Sequence, residues 1–180
     1  MSHSAYVLFA ATLMTGAALA RCQRSTTAVS TTAAPVAVAA GDTSAARGAQ
    51  LVLLGGCDDC HTPQLPNGEP DMSRRFSGVP AGSAAPPSIA NVVATENLAF
   101  SGPWGTSFPR NITPDVQHGI GSWNVQDFIR TMRTGTDPQG HALLPPMPYK
   151  EFGKLPDADL TAIYNFIRTV APSSNAVTGP

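Results

Sequence analysis

The chain has 180 residues, the size of about one domain, and a formal net charge of −1, which removes any general electrostatic case for binding nucleic acid or an anionic membrane surface. Only 13% of residues are charged, against 17 prolines and 16 glycines. That balance points to short helices joined by long, turn-rich loops rather than to a large self-sufficient core.

Residues 1–20 read as an export signal. The apolar run from Tyr6 to Ala20 is short for a membrane span and suits the hydrophobic region of a signal peptide, and Ala18-Leu19-Ala20 forms an A-x-A cleavage pattern. The stretch before it carries no Lys or Arg, so retention as an N-terminal anchor stays open. Lipidation at Cys22 stays open too, although Arg21 suits a lipobox poorly. Either way the expected location is the periplasm, soluble or N-terminally anchored to the membrane. Residues 21–45, rich in Ser, Thr, Ala, Pro and Val, read as a low-complexity linker with too little large apolar surface to fold alone.

A folded domain is expected over residues 46–172, its first helix capped by Thr43 or Ser44. Leu51 and Leu54 are available for a buried face, and Gly55-Gly56 ends the helix and frees the backbone to turn. Cys57, Cys60 and His61 then form C-x-x-C-H, the attachment signature of a c-type haem. Two cysteines three apart on one turn can each form a thioether to one edge of a porphyrin. The following histidine then lies under the iron as proximal ligand. A thioredoxin-like pair would need a βαβ context, and no strand–helix alternation is visible. A structural zinc site would need four ligands, but there is one such pair and Cys22 is remote. With three cysteines in all, a disulfide framework is not indicated.

Residues 62–115 show no sustained period and are punctuated by prolines from Pro63 to Pro114, with Asn67-Gly68 a turn. A long loop stretch in a compact domain is reconciled if the loops wrap a prosthetic group. Phe76, Phe100, Trp104 and Phe108 are candidates for haem packing or core, and Arg74-Arg75 reads as a solvated pair. Asn124–Thr134 is an amphipathic helix with a near capping box at Asn124 and Asp127; Val125, Phe128, Ile129 and Met132 share one face and Gly135 stops it. Met132 therefore reads as core. Met147 stands in a proline-stiffened loop, Pro145-Pro146-Met147-Pro148, that helical packing does not explain. A thioether is a soft, neutral ligand for haem iron, so Met147 is the expected sixth ligand, with Met72, His118 and His141 as competitors. A last helix spans Asp157 to Val170 with Leu160, Ile163, Tyr164, Ile167 and Val170 on one face, and residues 173–180 read as a flexible tail.

This order of helix, C-x-x-C-H, long loops, helix, methionine loop and C-terminal helix is similar to class I cytochrome c over residues 46–172. The runs Asn111-Ile112-Thr113-Pro114-Asp115, Gly119-Ile120-Gly121-Ser122-Trp123 and Pro146-Met147-Pro148-Tyr149 resemble the haem domains of bacterial dehydrogenase-associated cytochromes. The resemblance implies an all-α cytochrome c fold of short helices and long loops around one covalently bound haem c. By motif position it makes Cys57 and Cys60 the thioether sites, His61 the proximal ligand and Met147 the distal one. It also implies a backbone carbonyl that accepts the other ring proton of His61, for which Pro109 is the choice. Arg110 and Trp123 are the candidate propionate partners, a solvated loop charge being an equal alternative for Arg110. Proteins of this kind take electrons from alcohol, aldehyde or related dehydrogenases and pass them to quinone or a terminal oxidase. Many carry several haems, whereas this chain has one C-x-x-C-H and is expected to hold one. The expected function is that of a non-catalytic one-electron carrier in a respiratory chain, meeting a redox donor and acceptor. Alternatives are a fixed subunit of a dehydrogenase or oxidase, a haem enzyme or gas sensor with a displaceable sixth ligand, and a metal-free redox thiol protein.

Overall fold

The computed structural model describes residues 41–83, 93–94 and 99–178, so the expected export signal and all but the end of the linker lie outside the described residues. Helix α1 (Ala45–Leu54) starts where Ser44, in extended conformation, accepts the Arg47 N–H at 3.2 Å. Of the two caps the sequence offers, Ser44 is the one used. The buried stripe of α1 is Gly48 and Val52, four residues apart. Leu54, expected on that face, is 82% exposed. It lies two positions beyond Val52, about 200° round the helix, on the opposite side. Leu51 is partly buried against the core.

Gly55 ends α1, and Gly56, at φ 63°, turns the chain into α2 (Cys57–His61). Helix α3 (Val125–Thr134) carries a full capping box between Asn124 and Asp127 and stops at left-handed Gly135. A short α4 (Tyr149–Phe152) follows the methionine loop, and α5 (Asp157–Ile167) begins after Pro156. Helices α1 and α5 cross closely, and α3 packs on α5 and α4. At the α1–α5 crossing a Cβ on Gly48 would overlap the carbonyl of Ala162 and the Cβ of Phe166, so only glycine lets the backbones approach this far.

The main core gathers Val52, Phe76, Ile120, Phe128, Ile129, Leu160, Ile163 and Ile167, joined by partly buried Val125 and Met132. Phe76 is therefore core, while Phe108 belongs to a second cluster with Val79, Ala99 and Val177. A small antiparallel sheet lies within the loop region, in the order β1 (Val93–Ala94), β2 (Phe100–Gly102) and β3 (Gly105–Ser107). Its register pairs Val93 with Ser101 and Ala94 with Phe100, then Phe100 with Ser107, Ser101 with Thr106 and Gly102 with Gly105. Strands of two or three residues are too short to show alternation, so sequence periodicity gives no sign of them. The architecture is otherwise the mostly helical one, of short helices and loops, expected of a cytochrome c fold. No described helix is long and apolar enough to cross a membrane.

The segment expected to fray is tied down over residues 173–177. Asn175 Nδ2 donates to the carbonyls of Ser77 (2.7 Å) and Val79 (2.8 Å), and its Oδ1 accepts the Ala81 N–H at 3.0 Å. Asn111 Nδ2 donates to the carbonyls of Ser173 and Asn175, at 2.7 and 3.1 Å. An amide side chain that saturates three backbone groups fixes a segment lacking its own helix or strand.

Candidate metal centre

Cys57 and Cys60 sit one turn apart on α2, both as free thiols, and His61 closes the helix. The Nδ1 of His61 lies 2.8 Å from the carbonyl oxygen of Arg110. A carbonyl can only accept, so Nδ1 carries the proton and Nε2 keeps its lone pair for a metal. The partner expected for this bond was Pro109. Its carbonyl instead accepts the Val79 N–H at 3.1 Å, and the next carbonyl along takes the histidine. The reason is a short ladder. Gly78 N–H donates to the His61 carbonyl (2.8 Å), and Ile112 N–H donates to that of Phe76 (2.9 Å). Residues 76–79 thus run beside 109–112, and this register presents the Arg110 oxygen to the ring. Gly78 sits at φ 74°, and a Cβ there would strike the backbone of residues 109–111.

Burial pushes the His61 pKa below its ordinary 6.5, against the opposing pull of the Arg110 carbonyl and of Asp58. The ring is neutral at pH 7, as a ligand must be. Burial, reinforced by Asp58, pushes the Cys57 thiol up to about 11, and burial with Asp59 raises Cys60 as well. Both sulfurs are protonated at neutral pH, the reverse of an activated dithiol pair. Among the described residues no group of three or more His, Cys, Asp or Glu side chains gathers to hold a simple metal ion.

Met147 is partly buried, its N–H donating to the Leu144 carbonyl at 3.2 Å. Its loop is fastened on two sides. Leu143 N–H donates to the Gly135 carbonyl (2.8 Å), and Ser107 Oγ donates to that of Pro145 (2.5 Å). A cavity of about 390 Å³ opens beside Met147, lined also by Leu143, Pro145 and Tyr149. The Phe152 ring of α4, five residues after Met147, packs on Gly55, two residues before Cys57. The competing ligands are engaged elsewhere: His118 pairs with Asp115 (3.3 Å), exposed His141 with Asp137 (3.0 Å), and Met72 is exposed.

Arg110 contributes its carbonyl to His61, and its guanidinium donates to the Val177 carbonyl at 2.8 Å. Trp123 is partly buried against the main core, its carbonyl accepting the Tyr164 hydroxyl at 2.7 Å. Trp104, over Gly102, has its indole Nε1 buried without a hydrogen-bond partner among the described residues, a donor that a carboxylate would satisfy. Two thiols on one turn, a neutral imidazole with Nε2 free and a thioether form a donor set that fits a covalently attached haem. Sequence reasoning missed Arg75. Read as solvated, it instead makes a two-pronged ion pair with Asp58 inside the C-x-x-C-H motif. Its neighbour Arg74 does sit at the surface, on Asp71.

No protein-family model matches the chain. Curated relatives do. Over 69 residues, 38% of this chain, it is 44% identical to the cytochrome c subunit of a quinone-dependent alcohol dehydrogenase from Gluconobacter oxydans. Over 138 residues, 76% of this chain, it is 32% identical to the gluconate 2-dehydrogenase cytochrome c subunit of Pantoea cypripedii. Over 135 residues, 75% of this chain, it is 31% identical to the fructose dehydrogenase cytochrome subunit of Gluconobacter japonicus. The aligned parts cover 14%, 26% and 23% of those proteins, so the chain spans well under half the length of the relatives it matches. These relatives are cytochrome c subunits of bacterial dehydrogenases, and they support a cytochrome c family, with haem and electron transport as its chemistry.

Proposed function

We propose that the chain is a monohaem c-type cytochrome that carries single electrons and catalyses no reaction of its own. Cys57 and Cys60 hold the porphyrin by thioethers, His61 is the proximal ligand and Met147 the distal one. The observation that carries this reading is the 2.8 Å bond between His61 Nδ1 and the Arg110 carbonyl, which leaves Nε2 as the ligating nitrogen within C-x-x-C-H. The haem, when bound, supplies an iron that cycles between ferric and ferrous. The residues do the rest. The Arg110 carbonyl fixes the ring plane of His61 and raises its basicity. The prolines beside Met147 limit the entropy lost in presenting its sulfur, and a His/Met pair favours a high reduction potential. Arg110 and Trp123 are the proposed propionate partners, joined by the buried Trp104 donor. With His61 and Met147 both offered to the iron, the chain would leave no ligand position there for a substrate.

A second reading, a fixed electron-transfer subunit, is favoured by relatives that are themselves subunits of alcohol, gluconate and fructose dehydrogenases. On either reading the electron donor is a dehydrogenase on the periplasmic side of the membrane, and a terminal oxidase is a fitting acceptor. The test is the absorption spectrum of the exported protein, oxidised and then dithionite-reduced. Narrow low-spin bands with a sulfur-to-iron charge-transfer band in the oxidised form are expected. Low-spin haem without that band overturns Met147, a high-spin spectrum shifts the protein to catalysis or gas sensing, and absence of covalent haem ends the cytochrome reading. Co-purification with a dehydrogenase at fixed stoichiometry would favour the subunit over the free carrier.

A further inference from the structure

Asp58 is one of the two residues between the cysteines of the haem motif, and it is not left to solvent. Arg75 Nε and Nη2 donate to its two oxygens at 2.9 and 2.5 Å, a fork-on-carboxylate geometry. The side chains are 24% and 17% exposed. The guanidinium carbon lies 4.7 Å from the ring centre of Phe76 and 4.8 Å from that of Phe166, so the cation is held against two aromatic rings, one of them on α5. Asp58 Oδ1 also accepts the hydroxyl of buried Thr62 (2.8 Å), and that hydroxyl accepts the Phe76 N–H (3.0 Å). Phe76 is fully buried at φ 62°, the non-glycine residue with positive φ among those described, a conformation that the surrounding bonds must enforce. One connected path therefore runs from the haem-motif helix through Arg75 to α5.

We infer that Arg75 and Asp58 are a positioning pair for the C-x-x-C-H helix: the guanidinium clamps α2 against α5 and holds a compensated charge pair beside the haem. The inference rests on the haem reading above. Asp58 is within three residues of His61, and ferric haem carries one positive charge more than ferrous haem. A carboxylate stripped of its partner favours the ferric state, and a guanidinium stripped of its partner favours the ferrous state. A pair that merely stabilises the fold, away from the haem, has no reason to shift the potential in opposite directions in the two single variants.

The test uses the full chain carrying its haem and measures reduction potential by spectroelectrochemistry for Arg75→Gln, Asp58→Asn, the double variant and Arg75→Lys. Arg75→Gln is expected to lower the potential, Asp58→Asn to raise it, and the double variant to return towards wild type. Arg75→Lys keeps the charge but loses the fork, so its potential is expected near wild type while its thermal unfolding midpoint falls. Should Arg75→Gln fail to accumulate, Asp58→Asn still decides the sign, a potential that is unchanged or lowered overturning the inference. Unchanged potentials, shifts of the same sign in both single variants, or a double variant displaced as far as either single one would overturn the inference and leave the cytochrome reading standing. A wild-type protein without covalent haem overturns the cytochrome reading first, and the inference with it.

Discussion

Gly48→Ala isolates the contact that fixes α1 on α5. Replacing a helical glycine by alanine normally gains about 1 kcal/mol of helix stability. At this position the new methyl meets the Ala162 carbonyl and the Cβ of Phe166, both close to the main chain of α5, so no side-chain rotation relieves the clash. Overpacking of this kind costs typically about 1–3 kcal/mol, and a backbone obstacle puts it at or above the upper end, so the net loss is expected to be about 2 kcal/mol. For a domain of this size that is a fall of roughly 8 °C in unfolding midpoint. The control is Ala46→Gly, at an exposed position of the same helix. There the propensity effect acts alone, and because Ala46 lies in the first turn of α1 stability should fall by at most about 1 kcal/mol. The assay is urea unfolding followed by far-ultraviolet circular dichroism. A Gly48→Ala protein as stable as wild type, or more stable, would refute the close crossing.

Met147→Ala should keep covalent haem but lower the reduction potential and allow rapid carbon monoxide binding to the reduced protein; an unchanged potential and spin state would remove Met147 as ligand. Thr62→Val removes a buried hydroxyl and strands the Phe76 N–H, an expected loss of about 1–3 kcal/mol in urea unfolding. A cost below that range would mean the amide finds another partner. Asp127 is held below the ordinary carboxylate value of 3.8, first by the Asn124 N–H and then by Arg130. A depressed folded pKa gives stability that is present above the unfolded value and lost as pH falls through the folded one. Asp127→Asn should therefore be less stable than wild type at pH 7, with a gap in urea midpoint that narrows below about pH 4. A gap independent of pH would assign the effect to helix geometry rather than charge.

The parts of this fold that could be read from sequence are those set by local rules. Asn124 with Asp127, the Val125–Phe128–Ile129–Met132 face and Gly135 specify α3 within twelve residues, and C-x-x-C-H marks its own chemistry at fixed spacing. What escaped depends on partners distant in the chain. Leu54 is available for a buried face because apolar side chains suit burial, yet the face of α1 that meets α5 is chosen by Gly48, a residue with no side chain to advertise it. The carbonyl facing His61 belongs to Arg110 rather than Pro109 because a backbone ladder 49 residues away sets the register. Arg75 looked solvated because nothing local distinguishes it from Arg74; its aspartate is 17 residues upstream and one of its two rings comes from α5. The residues at 173–177 have no period, and their order comes from an asparagine filling backbone vacancies in other loops.

The two proposed iron ligands are held in different ways, and the difference bears on where the site should give first. His61 is gripped from several directions at once: its ring by the Arg110 carbonyl, its own carbonyl by Gly78, and its helix by the Asp58–Arg75 pair. The loop behind the Arg110 carbonyl is itself braced by residues 173–177 through Asn111 and Asn175. Breaking any one of these bonds leaves the others in place. Met147 stands on a loop fastened at Leu143 and Pro145 and stiffened by its prolines, with a cavity at its side and no described hydrogen bond to its sulfur. The methionine loop can therefore move while α1, α2 and α5 stay packed. Mild denaturant should accordingly release the methionine before the helices unfold, seen as loss of the sulfur-to-iron band at lower urea than loss of helical ellipticity. Coincident loss of the two signals would mean that the loop and the core form one cooperative unit.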